Sequence, residues 1–420
     1  MNRYSYQISR KRDMHLLVWM CTLSYAITYI GRLNYSAALP VMIEQGILEK
    51  TWGGMIATAY FGAYGVGQLI NGCLADHFNP RTQVLVGVSG SAVLNLVMGT
   101  VAQPQSMLLV WGLNGYAQSL IWAPMFLIVS QSIPEIFRMR ALLLLNSAPS
   151  IGTVLAYLVS SVVLKIASWQ WLFIGAALLL LVCTGCWLLG WRVLQCHGAP
   201  QEAQMQTTQK NRYAQTRKPL PKAAWKGIGV GMVLLVLPAM IHGMLKDGVT
   251  SWLPTYMTEE FSMAAETAVA FSVLLPLINI FGAAIGYWMI ARLRNEAACV
   301  CILFAGSGFC MLLLTAAGNW KPILAVVLFA LVTAAMMAVN VLLCSEVPAR
   351  FAASGLAGTV SGFFNACGYI GTSVSMYGIA WIAESCGWGA MRTVWLVSCL
   401  IAAALCGVSA PLWRRKPSGR

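Results

Sequence analysis

Two apolar stretches of the chain each contain a basic side chain. Arg32 opens the run RLNYSAALP, and Lys246 opens the run KDGVTSWLP. The runs share a cation, a hydroxyl, a leucine and a proline at the same spacing, and 246 − 32 = 214 residues separate them. A charged side chain at the centre of a spanning helix costs about 2.5–3.5 kcal/mol on insertion scales, so each cation must face a cavity or a partner. Two such cations could bind a small anion.

The same offset recurs at distant landmarks. Gly72 corresponds to Gly286, and the pattern IPxxF at 133–137 corresponds to VPxxF at 347–351. A constant offset over these distances indicates two homologous halves. The polar and basic stretch between the halves has no apolar period, as expected of a flexible linker. We predict an N-terminal six-helix bundle at 1–194, a cytoplasmic linker at 195–224 and a C-terminal six-helix bundle at 225–420.

The composition is that of a membrane protein. Of 420 residues, 59% are hydrophobic and only 10% are charged, and the mean hydropathy is +0.71. About a quarter of the residues in a soluble domain are charged. Since one span with its loop takes roughly 30–35 residues, the length predicts twelve transmembrane helices. The expected fold is an all-α membrane protein made of two pseudo-symmetric six-helix bundles.

The net charge of +14 is arranged as a topology signal. Lys and Arg concentrate in alternate loops, including an N-terminal cluster at 10–12, the linker, and a C-terminal cluster at 414–416. By the positive-inside rule, both termini and the linker are predicted to be cytoplasmic. Membrane topology therefore accounts for the basic excess, and this arrangement argues against a nucleic-acid partner.

Chemistry other than binding finds little support in the sequence. The thirteen cysteines lie mostly within apolar spans, without His or carboxylates at ligand spacing. They are expected to be packing residues and not a metal or redox site. We find no nucleophile paired with a base and no phosphate-cradling loop, and we predict neither enzymatic activity nor a cofactor.

One face of the first predicted helix, from about 15 to 40, is polar. Tyr25, Tyr29, Arg32 and Ser36 are separated by steps of four, three and four residues, which places them on the same side. The apolar segments predicted as helices 2 to 6 contain no Asp or Glu. A structural counter-ion within the same half is therefore not evident, and this face is expected to look into the bundle or a water-filled cavity.

The seventh and eleventh predicted helices carry matching polar residues. His242 and Lys246 are four residues apart on one face, whereas Asp247 is rotated by about 100° on the next residue. Asn365 and Tyr369 belong to a polar stripe at four-residue steps. We expect Tyr25, Tyr29, His242, Asn365 and Tyr369 to be secondary contacts to an anion held by Arg32 and Lys246. Asp247 is a proton carrier, a local ion-pair partner of Lys246, or a packing residue of the seventh helix.

A distinctive turn follows the second predicted helix. From Gly72 through Asp76 to Arg81 it reads GCLADHFNPR, which resembles the motif G-x-x-x-D-[RK]-x-x-x-R between helices 2 and 3 of the major facilitator superfamily. Asp76 is expected to stabilise a neighbouring helix N-terminus. Arg81 is expected to form a charge pair that breaks when the halves rock. His77 stands where a cation is usual.

The two cation-bearing runs are more specific. Together with that turn, they resemble the organophosphate:phosphate antiporter family, which includes bacterial glycerol-3-phosphate and hexose-6-phosphate transporters. In that family, an Arg on helix 1 and another on helix 7 bind the substrate phosphate. The resemblance implies this role for Arg32 and for Lys246, which keeps the charge without the guanidinium fork. Gln68 stands where members of known substrate tend to have Lys, and Pro149 where they tend to have His.

Three functions are compatible with these residues. The resemblance implies exchange of an organophosphate, such as a sugar phosphate, for inorganic phosphate by alternating access. Proton-coupled symport of a carboxylate or sulfonate is the first alternative, with Asp247 or His242 carrying the proton. A membrane sensor that binds such a ligand without moving it is the second. In each case we expect a monomer in the bacterial inner membrane, with a small anion and lipid as its partners.

Overall fold

The computed structural model describes residues 8, 10–74, 78–196, 222–316, 321–351 and 356–413. Within these ranges the chain forms helices and no strand, as the composition predicts. The helices are α1 (Lys11–Glu44), α2 (Lys50–Leu74), α3 (Pro80–Met98), α4 (Pro104–Ser119), α5 (Trp122–Ser132), α6 (Glu135–Ile166), α7 (Gln170–Cys196), α8 (Lys222–Gly243), α9 (Val249–Phe261), α10 (Ala265–Ser272), α11 (Leu274–Leu293), α12 (Glu296–Ala316), α13 (Pro322–Val341), α14 (Val347–Ala349) and α15 (Ala357–Ser409). Wider π-helical turns occupy Met244–Gly248 and Leu342–Glu346, and a 3-10 turn occupies Ala410–Trp413.

Eight helical stretches in the described part of the chain are long and apolar enough to cross a membrane, judged by length and composition. The count of twelve spans stays a prediction. One reason is that α15 joins two helical stretches across Gly387, whose φ of 78° and ψ of 170° are not helical. Glycine adopts this positive φ at little cost, since it has no Cβ.

Two predicted helices are interrupted. The apolar run at about 107–133 predicts one helix, but the structure has α4 and α5 with a break at 120–121. The run at about 264–290 likewise gives α10 and α11, with a break at Val273. In both cases the second helix has a proline in its first turn, Pro124 or Pro276. Proline is tolerated there because the first amides of a helix have no intrahelical acceptor.

The chain divides into two compact units. Unit 1 comprises Met1–Gln206 and Met263–Val273, and unit 2 comprises Thr207–Ser262 and Leu274–Arg420. The short stretch Met263–Val273 belongs to unit 1 because α10 packs on α6, where the Ser161 hydroxyl donates to the carbonyl of Glu266 at 2.9 Å. The predicted boundaries of the two halves stay a prediction.

Close helix contacts in unit 1 depend on glycine. α1 packs on α6 and α7, and α2 packs on α4. Gly152 of α6 lies against the carbonyl of Ala26, and Gly115 of α4 lies against the carbonyl of Tyr60. A Cβ at either glycine would clash with the facing backbone, so these positions set how closely the helices approach.

Unit 2 repeats one of these crossings. α8 packs on α15, where Gly371 lies against the carbonyl of Met240. Met240 follows Ala26 by the same 214 residues that relate the two cations. In each unit, the residue six positions before the cation has a backbone carbonyl that a glycine of a neighbouring helix contacts.

Candidate functional site

Arg32 lies on α1 within an aromatic surround. Its guanidinium carbon Cζ is 5.4 Å from the ring centroid of Tyr29, 5.6 Å from Tyr60, 5.0 Å from Phe61 and 5.1 Å from Tyr64. Three of these rings come from α2. Cations within about 6 Å of an aromatic face are attracted by its negative quadrupole, an interaction that stabilises the guanidinium without cancelling its charge.

The backbone beside this cation is anchored by side-chain amides. The carbonyl oxygen of Gly31 accepts hydrogen bonds from Nδ2 of Asn95, Nδ2 of Asn114 and Nε2 of Gln118, each at 3.2 Å. The Tyr60 hydroxyl in turn donates to Oε1 of Gln118 at 2.8 Å. Buried amides linked in this way fix the position of a helix because each would be costly to leave unbonded.

The network continues along the same helix. Nδ2 of Asn34 donates to Oδ1 of Asn95 at 2.7 Å, and the Ser91 hydroxyl donates to Oδ1 of Asn114 at 2.7 Å. Sequence reasoning missed this network, although Asn and Gln within apolar segments are a recognisable signal. What the sequence lacks is the crossing geometry that brings α3 and α4 to one carbonyl of α1.

The two predicted tyrosines of α1 differ in exposure. Tyr25 is 6% exposed, and its ring centroid lies 4.9 Å from that of Trp122 and 5.6 Å from that of Tyr29. Tyr29 is half-buried and contacts the guanidinium of Arg32. Tyr29 thus belongs to the surround of the cation, whereas Tyr25 packs behind it.

Gln68 lies in the same part of unit 1. Its Nε2 donates to the Tyr64 hydroxyl at 2.9 Å, and Tyr64 is one of the rings that face Arg32. The position where the family tends to have a basic residue is therefore linked to the cation through one aromatic side chain.

In unit 2, Lys246 and Asp247 lie in the π-helical turn Met244–Gly248. Lys246 Nζ is 3.6 Å from Asp247 Oδ1, and the Thr372 hydroxyl donates to Asp247 Oδ2 at 3.2 Å. A π turn rotates less per residue than an α turn, and such turns occur often at functional sites. The expected separation of about 100° between Lys246 and Asp247 assumed a regular α-helix.

The predicted site residues of unit 2 line one small cavity. Among the side chains that line it are His242, Lys246, Asp247, Asn365 and Tyr369. Its volume is about 10 Å³, close to the minimum that holds one water. All five residues that the sequence predicted in this half therefore meet at one polar cavity.

His242 adds an unsatisfied polar atom to this cavity. The side chain is 5% exposed, and its Nε2 has no hydrogen-bond partner among the described residues. A buried nitrogen without a partner is costly, so it is a site where a ligand atom or water could bind. In the described part of the chain, no group of three or more His, Cys, Asp or Glu side chains could hold a metal ion.

The predicted gating turn is described in part. Gly72 lies in the last turn of α2, whereas Asp76 lies outside the described residues. Arg81 lies at the start of α3, with its Cζ 4.0 Å from the ring centroid of Trp191, and its carbonyl accepts from Trp187 Nε1 at 3.2 Å. Arg81 therefore packs on α7, and its predicted charge pair stays a prediction.

Two Arg–Glu pairs in unit 2 were not predicted. Arg350 donates from Nε to Glu296 Oε1 at 2.9 Å and from Nη2 to the carbonyl of Trp413 at 2.6 Å. Arg392 donates from Nη1 to Glu260 Oε1 at 2.5 Å. Glu296 is fully buried, and a buried carboxylate requires such a partner. These pairs link helix ends in unit 2.

The chain belongs to the Major Facilitator Superfamily, whose family model matches residues 21–376. It is a multi-pass membrane protein of a transporter family and not an enzyme. Its relatives include a membrane sensor protein and a glycerol-3-phosphate transporter, in agreement with the resemblance to the organophosphate:phosphate antiporter family.

Two of these relatives match almost the whole chain. The membrane sensor protein UhpC of Salmonella typhimurium is 24% identical, over 96% of this chain and 91% of the relative. The glycerol-3-phosphate transporter of Bacillus subtilis is 25% identical, over 90% of this chain and 88% of the relative. The solved structure of a bacterial homolog of the human lysosomal transporter Spinster has a TM-score of 0.75 at 13% identity, covering 98% of this chain and 100% of that chain. At that identity, the solved structure supports the fold alone.

Proposed function

We propose that this protein is a secondary active transporter that exchanges an organophosphate, such as a sugar phosphate, for inorganic phosphate by alternating access. The observation that carries the proposal is that Lys246 lines one cavity of unit 2 together with His242, Asn365 and Tyr369. At about 10 Å³ this cavity is smaller than a phosphate group, so it must widen when the anion binds. Unit 1 contains a second cation, Arg32, which aromatic side chains hold in place. Each unit thus contains one basic residue that can bind an anion.

The chemistry of the two cations fits a phosphate ester. A guanidinium offers two parallel donors to two oxygens of one phosphoryl group. The ammonium of Lys246 supplies a compact positive charge with rotatable donors. Asp247, 3.6 Å from that ammonium, partly offsets its positive charge. His242, Asn365 and Tyr369 can donate hydrogen bonds to the remaining oxygens.

The two cations also explain exchange. Positive side chains from two units repel each other if they approach without an anion, so an empty carrier is penalised when it closes. Binding of either a sugar phosphate or inorganic phosphate removes that penalty. The carrier therefore passes between its two open states with an anion bound, which couples inward movement of one anion to outward movement of another.

The remaining expectations belong to this proposal. Both termini and the 195–224 linker lie in the cytoplasm of a bacterium, and the protein acts as a monomer in the inner membrane. The turn containing Gly72, Asp76 and Arg81 acts as a gate whose charge pair opens during the cycle. The bound anion is the only ligand that the proposal requires.

Transport by purified protein tests the exchange. The protein is first screened by thermal shift against glycerol 3-phosphate, glucose 6-phosphate, inorganic phosphate, a sulfonate and a sugar acid. Proteoliposomes loaded with phosphate are then given the radiolabelled form of the compound that stabilises best. Uptake that requires internal phosphate supports exchange, and uptake that ignores internal phosphate contradicts it. Arg32→Ala should abolish the thermal shift, and Arg292→Gln, which removes an exposed cation, is its matched control and should keep the shift.

Proton-coupled symport is the second candidate, because Asp247 and His242, the two residues that can carry a proton, both line the cavity of unit 2. A carboxylate beside an ammonium can change its protonation when a substrate carboxylate or sulfonate competes for the cation. Uptake driven by an inward proton gradient, without internal phosphate and lost in Asp247→Asn, supports symport over exchange.

A sensor is the third candidate, and the similarity to a curated sensor over 96% of this chain favours it. A sensor binds its anion through the same residues but does not turn over. Saturable binding of a sugar phosphate, together with no counterflow in proteoliposomes, supports sensing. Measurable counterflow excludes it.

A further inference from the structure

A second, larger cavity lies at one end of unit 1. It is a groove of about 310 Å³ between the first turns of α1 and the first turns of α6, next to Ile133 after the end of α5. Three basic side chains line it: Lys11 and His15 from α1, and Arg140 from α6. None of the lining residues is acidic, and all of them belong to unit 1.

Both helices contribute basic and apolar side chains to this groove. On α1, Lys11, His15 and Trp19 follow at four-residue steps and therefore share one face. On α6, Arg140 is followed four residues later by Leu144. On α1 the two basic residues precede Trp19, and on α6 Arg140 lies between the apolar lining residues Phe137 and Leu144. The groove therefore has both a positive rim and an apolar wall.

The apolar wall is exposed as well as concave. Trp19 is 49% exposed and Phe137 is 36% exposed, although both line the groove. Lys11 Nζ lies 6.0 Å from the ring centroid of Phe137, which joins the rim to the wall. Exposed apolar surface next to basic residues is typical of a surface that binds a partner with both properties.

We propose that this groove binds one anionic phospholipid, with its phosphate at Lys11, His15 and Arg140 and an acyl chain along Trp19 and Leu144. The positive rim complements a phosphate group, and the apolar wall complements a hydrocarbon chain. A free sugar phosphate would gain nothing from the wall. The charge pattern predicts that this end is cytoplasmic, where the membrane leaflet is rich in anionic lipids and juxtamembrane basic residues attract them.

Two carboxylates lie nearby without lining the groove. Asp13 follows Lys11 by two residues and is 3% exposed, and Glu135 begins α6 as an exposed residue. Neither one is a member of the lining. The rim therefore keeps its positive character at the point where the phosphate is expected.

The test is lipid retention by the full chain. Purified protein in detergent is titrated with phosphatidylglycerol or with phosphatidylcholine, and bound lipid is counted by native mass spectrometry. We expect one tightly held phosphatidylglycerol. The double variant Lys11→Gln/Arg140→Gln should weaken its binding by roughly tenfold or more, since it removes two of the three basic groups that attract the anionic headgroup. The variant Arg292→Gln/Arg294→Gln removes two exposed cations elsewhere and should retain the lipid.

A second measurement follows the acyl chain. Phosphatidylglycerol brominated on its chains should quench the fluorescence of Trp19, so the wild type should lose more signal than Trp19→Phe. Brominated phosphatidylcholine at the same concentration should show no such difference. This readout does not depend on transport.

Several outcomes would overturn the lipid site. Equal retention of phosphatidylglycerol by the wild type and by Lys11→Gln/Arg140→Gln would exclude the basic rim. Displacement of the lipid by millimolar glycerol 3-phosphate would assign the rim to a free anion. Lipid binding that appears only after removal of residues 1–7 would mean that the chain's own N-terminal segment occupies the groove.

Discussion

The two cation-bearing regions share a sequence pattern but have different surroundings. Arg32 lies on a regular helix, faces aromatic rings, and follows a carbonyl that three amides hold. Lys246 lies on a π-helical turn, 3.6 Å from the carboxylate of its neighbour Asp247. The first region stabilises a positive charge in a fixed place. The second contains a charge whose effect depends on a carboxylate beside it.

This difference suggests a division of labour between the repeats. A cation among aromatic rings keeps its charge whatever the ligand, so it is suited to select for anions. An ammonium next to a carboxylate can exchange that partner for a substrate oxygen, so it is suited to respond to binding. Duplication would then have supplied two similar helices, and the local surroundings would have given them separate roles.

The largest effect is expected at the fixed charge. Arg32→Ala should weaken binding of a sugar phosphate more than about 100-fold, because at least two charge-assisted hydrogen bonds of about 1.5–3 kcal/mol each are lost. Arg32→Lys should recover part of the affinity. Isothermal titration of the purified variants measures both. If Arg32→Ala binds like the wild type, Arg32 has no role in the site.

A smaller effect is expected at the second cation. Lys246→Ala should weaken binding by roughly tenfold, since one charge-assisted contact is removed. Lys246→Arg should bind inorganic phosphate more tightly than the wild type because it restores a bidentate donor. Isothermal titration measures the affinity of each variant relative to that of the wild type. A loss of affinity in Lys246→Ala that is larger than the loss in Arg32→Ala would reverse the division of labour.

The anchoring network should affect stability more than selectivity. Gln118→Leu removes the side-chain oxygen that accepts from the Tyr60 hydroxyl and one donor to the Gly31 carbonyl. We expect a loss of about 1–3 kcal/mol in the free energy of unfolding, measured by denaturation in detergent. Affinity for all anions should fall by the same small factor. A change in preference among anions would contradict a purely positional role.

The smallest effect is expected at the neighbouring carboxylate. Asp247→Asn should raise the affinity for anions by about threefold, because partly exposed ion pairs of this kind contribute about 0–1 kcal/mol. Binding of glucose 6-phosphate at fixed pH measures the change. Affinity that falls instead would show that Asp247 supports the site.

Much of the architecture could be predicted because the hydrocarbon of the membrane restricts which side chains can lie in a spanning segment. Long apolar runs predict helices, and the cost of a charge in hydrocarbon identified Arg32 and Lys246 without any structure. The meeting of His242, Lys246 and Asn365 at one cavity also agrees with helical spacing. The four-residue step alone was enough to place the first two on one face.

Other features could not be predicted because they depend on how helices cross. The amides of Asn95, Asn114 and Gln118 reach one carbonyl only in the packed unit. The π turn at Met244–Gly248 has no sequence signature, yet it determines the direction of Asp247. The break between α4 and α5 likewise interrupts a run that is apolar throughout.

The membership of Met263–Val273 in unit 1 has a mechanical consequence. The chain passes from one unit to the other three times: near 206–207, at 262–263 and at 273–274. Ser262 has a φ of 51°, and Val273 separates two helices. If transport moves one unit against the other, these two positions must act as hinges on a short tether. Changing their flexibility, for instance with Ser262→Gly, which accepts a positive φ without strain, should change turnover while leaving affinity for the anion intact.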